Sequence, residues 1–248
     1  SGGVCSKIGM FLIIKIKHIM GLMNDSIWSV CRGKREGFVV YRRLGQTCVR
    51  SLTNSRASIG ARQVEQQERI ASLAVFFWAL GSAGLKECWQ RAEKPRQWNG
   101  YNLFVHRNIG AFTGEGTIGD FGKVELTAGR LSLPDNIRLR QEGKRWVMEW
   151  ENLTELSGDR GNDRMQVALM EGREDRFTVK VCGEWRDGSR PEGGKREEGR
   201  LAFRLPAAWR GYGRLYCFMR SENGGEFSPS RYMGQREDFP VGAIKFYN

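Results

Sequence analysis

Apolar residues in the first half of the chain recur at the spacing of a helix. Over residues 58–80 they fall three or four positions apart on one side: Ile70, Leu73, Ala74, Phe77 and Leu80. A second helix is predicted over residues 85–92, before Pro95, and a third over residues 101–109. Residues 61–69 are polar on almost every side, so we expect this part of the first helix to project beyond the core or to meet a partner.

After residue 122 the pattern changes to the two-residue alternation of half-buried strands. Five runs alternate in this way, around Met148, Val167, Val179, Phe203 and Cys217. Their short spacing and the turn residues between them predict an antiparallel β-sandwich. The glycine-rich stretch 110–122 marks the boundary with the helices, and the charged stretch 186–199 is predicted as a loop.

Residues 33–51, GKREGFVVYRRLGQTCVRS, alternate like a strand hairpin with a turn at Leu44-Gly45-Gln46. This stretch carries five Lys and Arg residues against one acidic residue, Glu36. Two interpretations stay open at this point. The hairpin is either a surface for an anionic partner or the solvated edge of a small sheet.

The net charge of +12 is concentrated in the N-terminal half, where residues 1–113 carry +11 and residues 114–248 carry +1. Such asymmetry indicates a polyanion or an acidic surface as partner, although solubility alone is the competing explanation. The candidate polyanion-binding residues run from the hairpin into the first helix: Lys34, Arg42, Arg43, Arg50, Arg56, Arg62 and Arg69. If these residues share a face, they could contact phosphates.

Three aromatic residues, Tyr41, Trp89 and Trp98, could stack on bases beside these cations. Trp89 lies at helical spacing from Leu85, which favours a place in the core instead. The sequence carries no known nucleic-acid-binding motif.

The six cysteines are spread singly along the chain, so none has the paired spacing of a zinc knuckle or a redox dithiol. This favours a reducing compartment and therefore the cytoplasm, while the spacing alone leaves three disulfides open.

The apolar run Phe11–Ile14 is far shorter than the roughly 20 residues of a membrane span. Residues 1–19 are interpreted as a leader or tag before Met20-Gly21, or alternatively as an added strand or helix.

Known catalytic motifs are absent from the sequence, and no cofactor or metal is expected. His106, on the third predicted helix, has the surroundings of a surface histidine more than those of a base. Asp159 and Asp163 bracket a glycine and an asparagine, which predicts a β-turn because a calcium loop needs more oxygen ligands. Carboxylates of the second half alternate with arginines, as on a solvated strand face.

Several short motifs occur in a recognisable order over residues 20–236. They are Met20-Gly21, Gly33-Lys34 with Gly37-Phe38-Val39-Val40, Arg50-Ser51, Gln63 and Gln66, Asn102 and Asn108, Gly129-Arg130-Leu131, Trp150, and Ser228, Ser230, Tyr232 and Gly234. In this order and spacing the chain resembles an uncharacterised family of Bacteroidota proteins known as a domain of unknown function. The resemblance implies an N-terminal hairpin-plus-helices unit and a C-terminal immunoglobulin-like or fibronectin-like sandwich, and it implies no activity.

We therefore expect an α+β protein with a leader over residues 1–19, a basic hairpin–helix module over 20–113 and a β-sandwich over 114–248. Its expected role is non-enzymatic binding, with nucleic acid or another polyanion as partner of the basic half. The alternative is a structural subunit of a phage-like or surface assembly, in which helix and hairpin pair with neighbouring copies. A hydrolase with an unusual site is a third interpretation.

Overall fold

The computed structural model of this protein contains two compact units. It describes residues 21–23, 33–35, 37–43, 45–52, 60–143, 145–152, 160–173, 176–182, 193–205, 213–235, 238 and 244–247. The first unit comprises residues 1–60 and the second comprises residues 61–248. The predicted division at residue 113 therefore falls inside the second unit, and the predicted leader lies outside the described residues.

The first unit contains a four-stranded antiparallel sheet in the order β1-β4-β3-β2. Its strands are β1 (Gly21–Met23), β2 (Gly33–Arg35), β3 (Phe38–Arg43) and β4 (Gln46–Ser51). Gly37 and Gly45 lie in the two tight turns at φ of 80° and 81°, which glycine adopts without the steric cost of a Cβ atom. The alternation in residues 33–51 thus corresponds to antiparallel strands, joined at the predicted turn.

Three helices open the second unit close to their predicted positions. They are α1 (Ala61–Ser82), α2 (Lys86–Arg91) and α3 (Gly100–Asn108), and the side chain of Asn99 caps α3 by accepting from the backbone N–H of Asn102 at 2.8 Å. Ile70, which helical spacing places on the same side as Leu73 and Phe77, is 40% exposed. The buried stripe of α1 runs through Leu73, Phe76, Phe77 and Leu80, and Ile70 lies beyond its edge.

Two antiparallel sheets make up the rest of the second unit, which confirms the α+β class. The first sheet has the order β10-β6-β5-β13, and the second has the order β12-β11-β7-β8 with β9 also paired to β7. The strands are β5 (Asp135–Glu142), β6 (Arg145–Glu151), β7 (Arg164–Arg173), β8 (Arg176–Cys182), β9 (Gly194–Lys195), β10 (Arg200–Phe203), β11 (Gly213–Arg220), β12 (Arg231–Gln235) and β13 (Ile244–Tyr247).

Alternate residues of these strands meet in a core between the two sheets. Met148 and Trp150 of β6 pack there with Val167 of β7 and Cys217 of β11. Trp150 is 5% exposed, and its Nε1 donates to the carbonyl oxygen of Arg196 at 3.0 Å. The predicted core face is therefore confirmed for these three strands, whereas Val179 of β8 is buried in the cluster that contains the helices.

A second core lies on the other face of the second sheet, where the helices cover it. Phe76 of α1 and Phe104 of α3 share this cluster with Ala168 of β7 and Phe218 of β11. Strands β7 and β11 are consequently buried on both faces, as strands in a middle layer are. This shared core explains why the helices belong to the same compact unit as the sheets.

Across the described residues, no helix combines the length and apolarity needed to cross a membrane.

Candidate polyanion-binding surface

Strand register divides the candidate cations of the first unit between the two faces of its sheet. Lys34 pairs with Val39, and Val39 pairs with Arg50, so these three residues lie on one face. Arg42 pairs with Thr47 and is in the opposite phase of β3. It therefore lies on the other face, on the side of the buried Thr47.

The expectation that Arg42 acts together with Arg50 is thereby corrected, because successive strand residues point to opposite faces. By register, position 43 shares the face of Lys34 and Arg50, whereas Arg56 lies outside the described residues. Lys34, Arg42 and Arg50 are all exposed, and none of the three has a carboxylate partner within the described part of the chain.

The remaining candidate cations, Arg62 and Arg69, belong to α1 in the second unit. The first eight residues of α1 are all exposed, in line with the predicted projection of this segment beyond its core. Arg62 is among these eight, and Arg69, seven positions later on the same side of the helix, is half-buried.

In the second unit, by contrast, three cations on the outer face of the sheet β10-β6-β5-β13 are paired with carboxylates. Three pairs join them to glutamates at 3.0–3.4 Å: Arg138–Glu151, Arg140–Glu149 and Arg200–Glu142. The hydrogen bond from Arg140 is the main reason why the pKa of Glu149 lies below its ordinary value. The alternation of arginines and carboxylates thus forms a paired, solvated strand face.

The three predicted stacking residues have different surroundings. Trp89 is fully buried and donates its Nε1–H to the carbonyl oxygen of Leu126 at 3.1 Å, so it is a core residue. Trp98 is half-buried, with its ring edge-on to His106 at a centroid distance of 4.9 Å. Tyr41 is half-buried and shares the sheet face of Lys34 and Arg50.

Sequence reasoning missed the most exposed of the large apolar side chains that the structure describes. Trp78 of α1 is 70% exposed, and Lys86 Nζ lies 3.7 Å from the centre of its ring. Val64 and Val75, each 45% exposed, lie on the same side of the helix. With Ala71 they recur at intervals of seven, four and three residues, so a second apolar stripe opposite the core was visible in the sequence.

Several residues of the motifs that carry the resemblance fix the backbone of the second unit by side-chain hydrogen bonds, two of them at the segment 124–131. Asn108 accepts from the backbone N–H of Glu125 at 2.8 Å through its side-chain oxygen. Ser230 Oγ accepts from the N–H of Leu126 at 2.7 Å, and Ser228 Oγ accepts from that of Met219 at 2.8 Å. These side chains are therefore structural.

A cleft of about 280 Å³ lies between α2, the segment 128–130 and residues 225–227. Both arginines that line the cleft form ion pairs. Arg91 pairs with Glu87 at 3.3 Å, and Arg130 pairs with Glu93 at 3.1 Å. Each of these arginines is thus balanced by a carboxylate in a solvent-exposed pair.

Four titratable groups of the second unit are buried in apolar surroundings or lie in a turn. Burial raises the pKa of the Cys88, Cys182 and Cys217 thiols to about 12. Burial also raises the pKa of Asp163, which lies in a turn with its carboxylate 3.7 Å from Arg160. No group of three or more metal-binding side chains occurs among the residues that the structure describes.

The chain matches no protein-family model, no curated protein and no solved structure. Its assignment to the Bacteroidota family on the motifs above stays a prediction.

Proposed function

We propose that this protein is a non-enzymatic binding protein that holds polyanions on the basic face of its first unit. One observation carries the proposal. Lys34 and Arg50 are exposed on one sheet face without a carboxylate partner among the described residues, whereas Arg138, Arg140 and Arg200 of the second unit are paired. Unpaired surface cations retain their attraction for an external anion.

The charge of the whole first unit supports the same conclusion. Residues 1–60 hold ten Lys and Arg residues and two acidic residues, so they carry +8 of the total +12. Contacts from Lys and Arg to phosphates carry no base information, so binding should be indifferent to nucleotide sequence.

Fluorescence anisotropy with two unrelated labelled oligonucleotides across a salt series tests this proposal. We expect the double substitution Lys34→Gln and Arg50→Gln to weaken binding equally for both. The slope of log affinity against log salt should flatten by about 1.4–1.8 for the two lost contacts. Arg42→Gln, on the opposite face, is the matched control and should leave the slope unchanged.

If the wild-type protein binds neither oligonucleotide at low salt, the electrostatic proposal is wrong. The contributions of Arg56, Arg62 and Arg69 stay predictions, and adding Arg62→Gln to the double variant tests whether α1 takes part.

Two finer assignments accompany the proposal. The strand order β10-β6-β5 facing β12-β11-β7-β8 supports an immunoglobulin-like or fibronectin-like sandwich, a fold that commonly presents binding surfaces. Free buried thiols at Cys88, Cys182 and Cys217 support the cytoplasm as the compartment.

A second candidate function, a structural subunit of an assembly, is favoured by the exposed stripe of Val64, Val75 and Trp78 on α1. The occupant we propose for it is α1 of a second copy. Antiparallel pairing of two such helices would set the valine end of one stripe against the tryptophan end of the other, with Ala71 at the crossing. A stable dimer buries roughly 800 Å² on each partner, more than these few side chains supply, so weak association is expected.

Size-exclusion chromatography with light scattering distinguishes the two functions, with absorbance read for both protein and nucleic acid. A salt-resistant oligomer that Trp78→Gln converts to monomer would establish assembly through α1. Arg50→Gln, which leaves α1 untouched, is the control and should retain the oligomer. A salt-sensitive complex that contains nucleic acid would favour the first function, and a monomer at every concentration would refute assembly.

A further inference from the structure

We infer that the basic face of the first unit takes single-stranded nucleic acid, with a base stacked on Tyr41 and phosphates held by Lys34 and Arg50. This inference rests on the proposed polyanion binding and names the class of polyanion.

The register of β2, β3 and β4 places Val39 between the two cations and Tyr41 at the next same-face position of β3, diagonal to both. Arg50 lies on β4, two positions from Cys48, which is the cross-strand partner of Tyr41. Lys34 lies on β2, opposite Val39 and therefore also diagonal to Tyr41. Diagonal neighbours on one face of a sheet are about 7–8 Å apart, within reach of long side chains. A ring with two cations at its diagonal positions offers both contacts that a single strand requires, namely a stacking platform and partners for its phosphates.

Duplex nucleic acid does not fit this arrangement. Bases within a duplex are stacked on one another, so none presents a free face to Tyr41. Four strands at about 4.8 Å spacing span roughly 14 Å before side chains are added, and the major groove is about 12 Å wide. A duplex could therefore reach only the cations, without gain from the aromatic ring.

The first measurement compares two probes on the full chain, a labelled 15-nucleotide oligo(dT) strand and a labelled 15-base-pair duplex at the same salt. We expect tighter binding of the single strand. Tyr41→Leu, which keeps an apolar side chain but removes the ring, should weaken oligo(dT) binding roughly fivefold to 150-fold. The same substitution should leave duplex binding unchanged, and Tyr41→Phe, which keeps the ring, should retain oligo(dT) affinity.

A second measurement uses the wild-type protein, with one variant as control. Cys48 pairs with Tyr41 on the same face and is half-buried, so a bound strand should cover its thiol. We expect oligo(dT) to slow alkylation of Cys48 by N-ethylmaleimide, followed by peptide mass spectrometry, and the duplex to slow it less. Arg42→Gln, on the other face, should change neither the protection nor the affinity.

The outcomes separate the two proposals. Equal binding of single strand and duplex, with Cys48 equally reactive and Tyr41→Leu without effect, would overturn stacking while polyanion binding stands. Failure to bind either probe at low salt would overturn both. If Tyr41→Leu does not fold, the probe comparison and the protection of Cys48 in the wild-type protein still decide the question.

Discussion

At the scale of single residues, burial controls the chemistry of the cysteines. Cys88, Cys182 and Cys217 lie in the two cores of the second unit, whereas Cys48 is half-buried on the small sheet. A thiol reacts through its thiolate, and burial in apolar surroundings disfavours that charged form.

We therefore predict that, among the four described cysteines, only Cys48 is alkylated at pH 8 in the native protein. Peptide mass spectrometry after iodoacetamide treatment checks this, with the urea-unfolded protein as control, in which all four should react. Rapid native labelling of Cys217 would show that the core between the sheets is open.

The same shifts predict a pH dependence of stability. The folded-state pKa of these buried thiols, about 12, lies above the ordinary thiol pKa of 9.0. Their stabilising contribution is therefore fully present below pH 9 and is lost as pH rises toward 12. The midpoint of urea unfolding should fall over this alkaline range, and replacing Cys217 by Ala should reduce the slope of that fall.

At the scale of elements, the segment 124–131 joins the helices to the second sheet. The indole N–H of Trp89 on α2 donates to the carbonyl oxygen of Leu126. The hydroxyl of Thr127 donates to the carbonyl oxygen of Ser228 at 2.8 Å. The segment also passes so close to residue 227 that a Cβ atom on Gly129 would lie 1.9 Å from the carbonyl oxygen of Phe227. Glycine at position 129 is thus required by close backbone approach.

Gly129→Ala should destabilise the second unit by about 1–3 kcal/mol, because the backbone of one strand connection must move to admit the methyl group. Gly110→Ala is the matched control, since a Cβ atom there would meet nothing within 4 Å, and its effect should stay within about 0.5 kcal/mol. Urea denaturation measures both, and equal stability of the two variants would contradict the close approach.

At the scale of the whole molecule, both large cores lie within residues 73–233 and thus within the second unit. The first unit contributes charge, as residues 1–60 carry most of the net positive charge. Stability and proposed binding are therefore assigned to different parts of the chain.

We predict that a chain beginning at Gly60 unfolds cooperatively, with a melting temperature within about 4 °C of the full chain, or about 1 kcal/mol. Its affinity for oligonucleotides should be lost with Lys34 and Arg50. Differential scanning calorimetry and anisotropy test the two halves of this prediction. A broad, non-cooperative transition would show that residues 1–59 complete a core.

The sequence by itself determined the three helices and five of the nine described strands of the second unit, with one buried face for each of them. Two-residue alternation is a direct consequence of strand geometry, so the inward placement of Met148, Trp150 and Cys217 followed from it. Helical spacing placed Trp89 in the core for the same local reason. The candidate cations were also visible as an excess of Lys and Arg in the N-terminal half, because net charge is counted from the sequence alone.

Only the tertiary structure decided which layers cover one another and which cations share a surface. Helices cover the second sheet, so Phe218 is buried on a face that alternation alone would assign to solvent. Pairing with glutamates neutralises Arg140, whereas the register of β3 separates Arg42 from Arg50. Local periodicity is a property of each segment, but burial and charge compensation depend on residues distant in sequence that folding brings together.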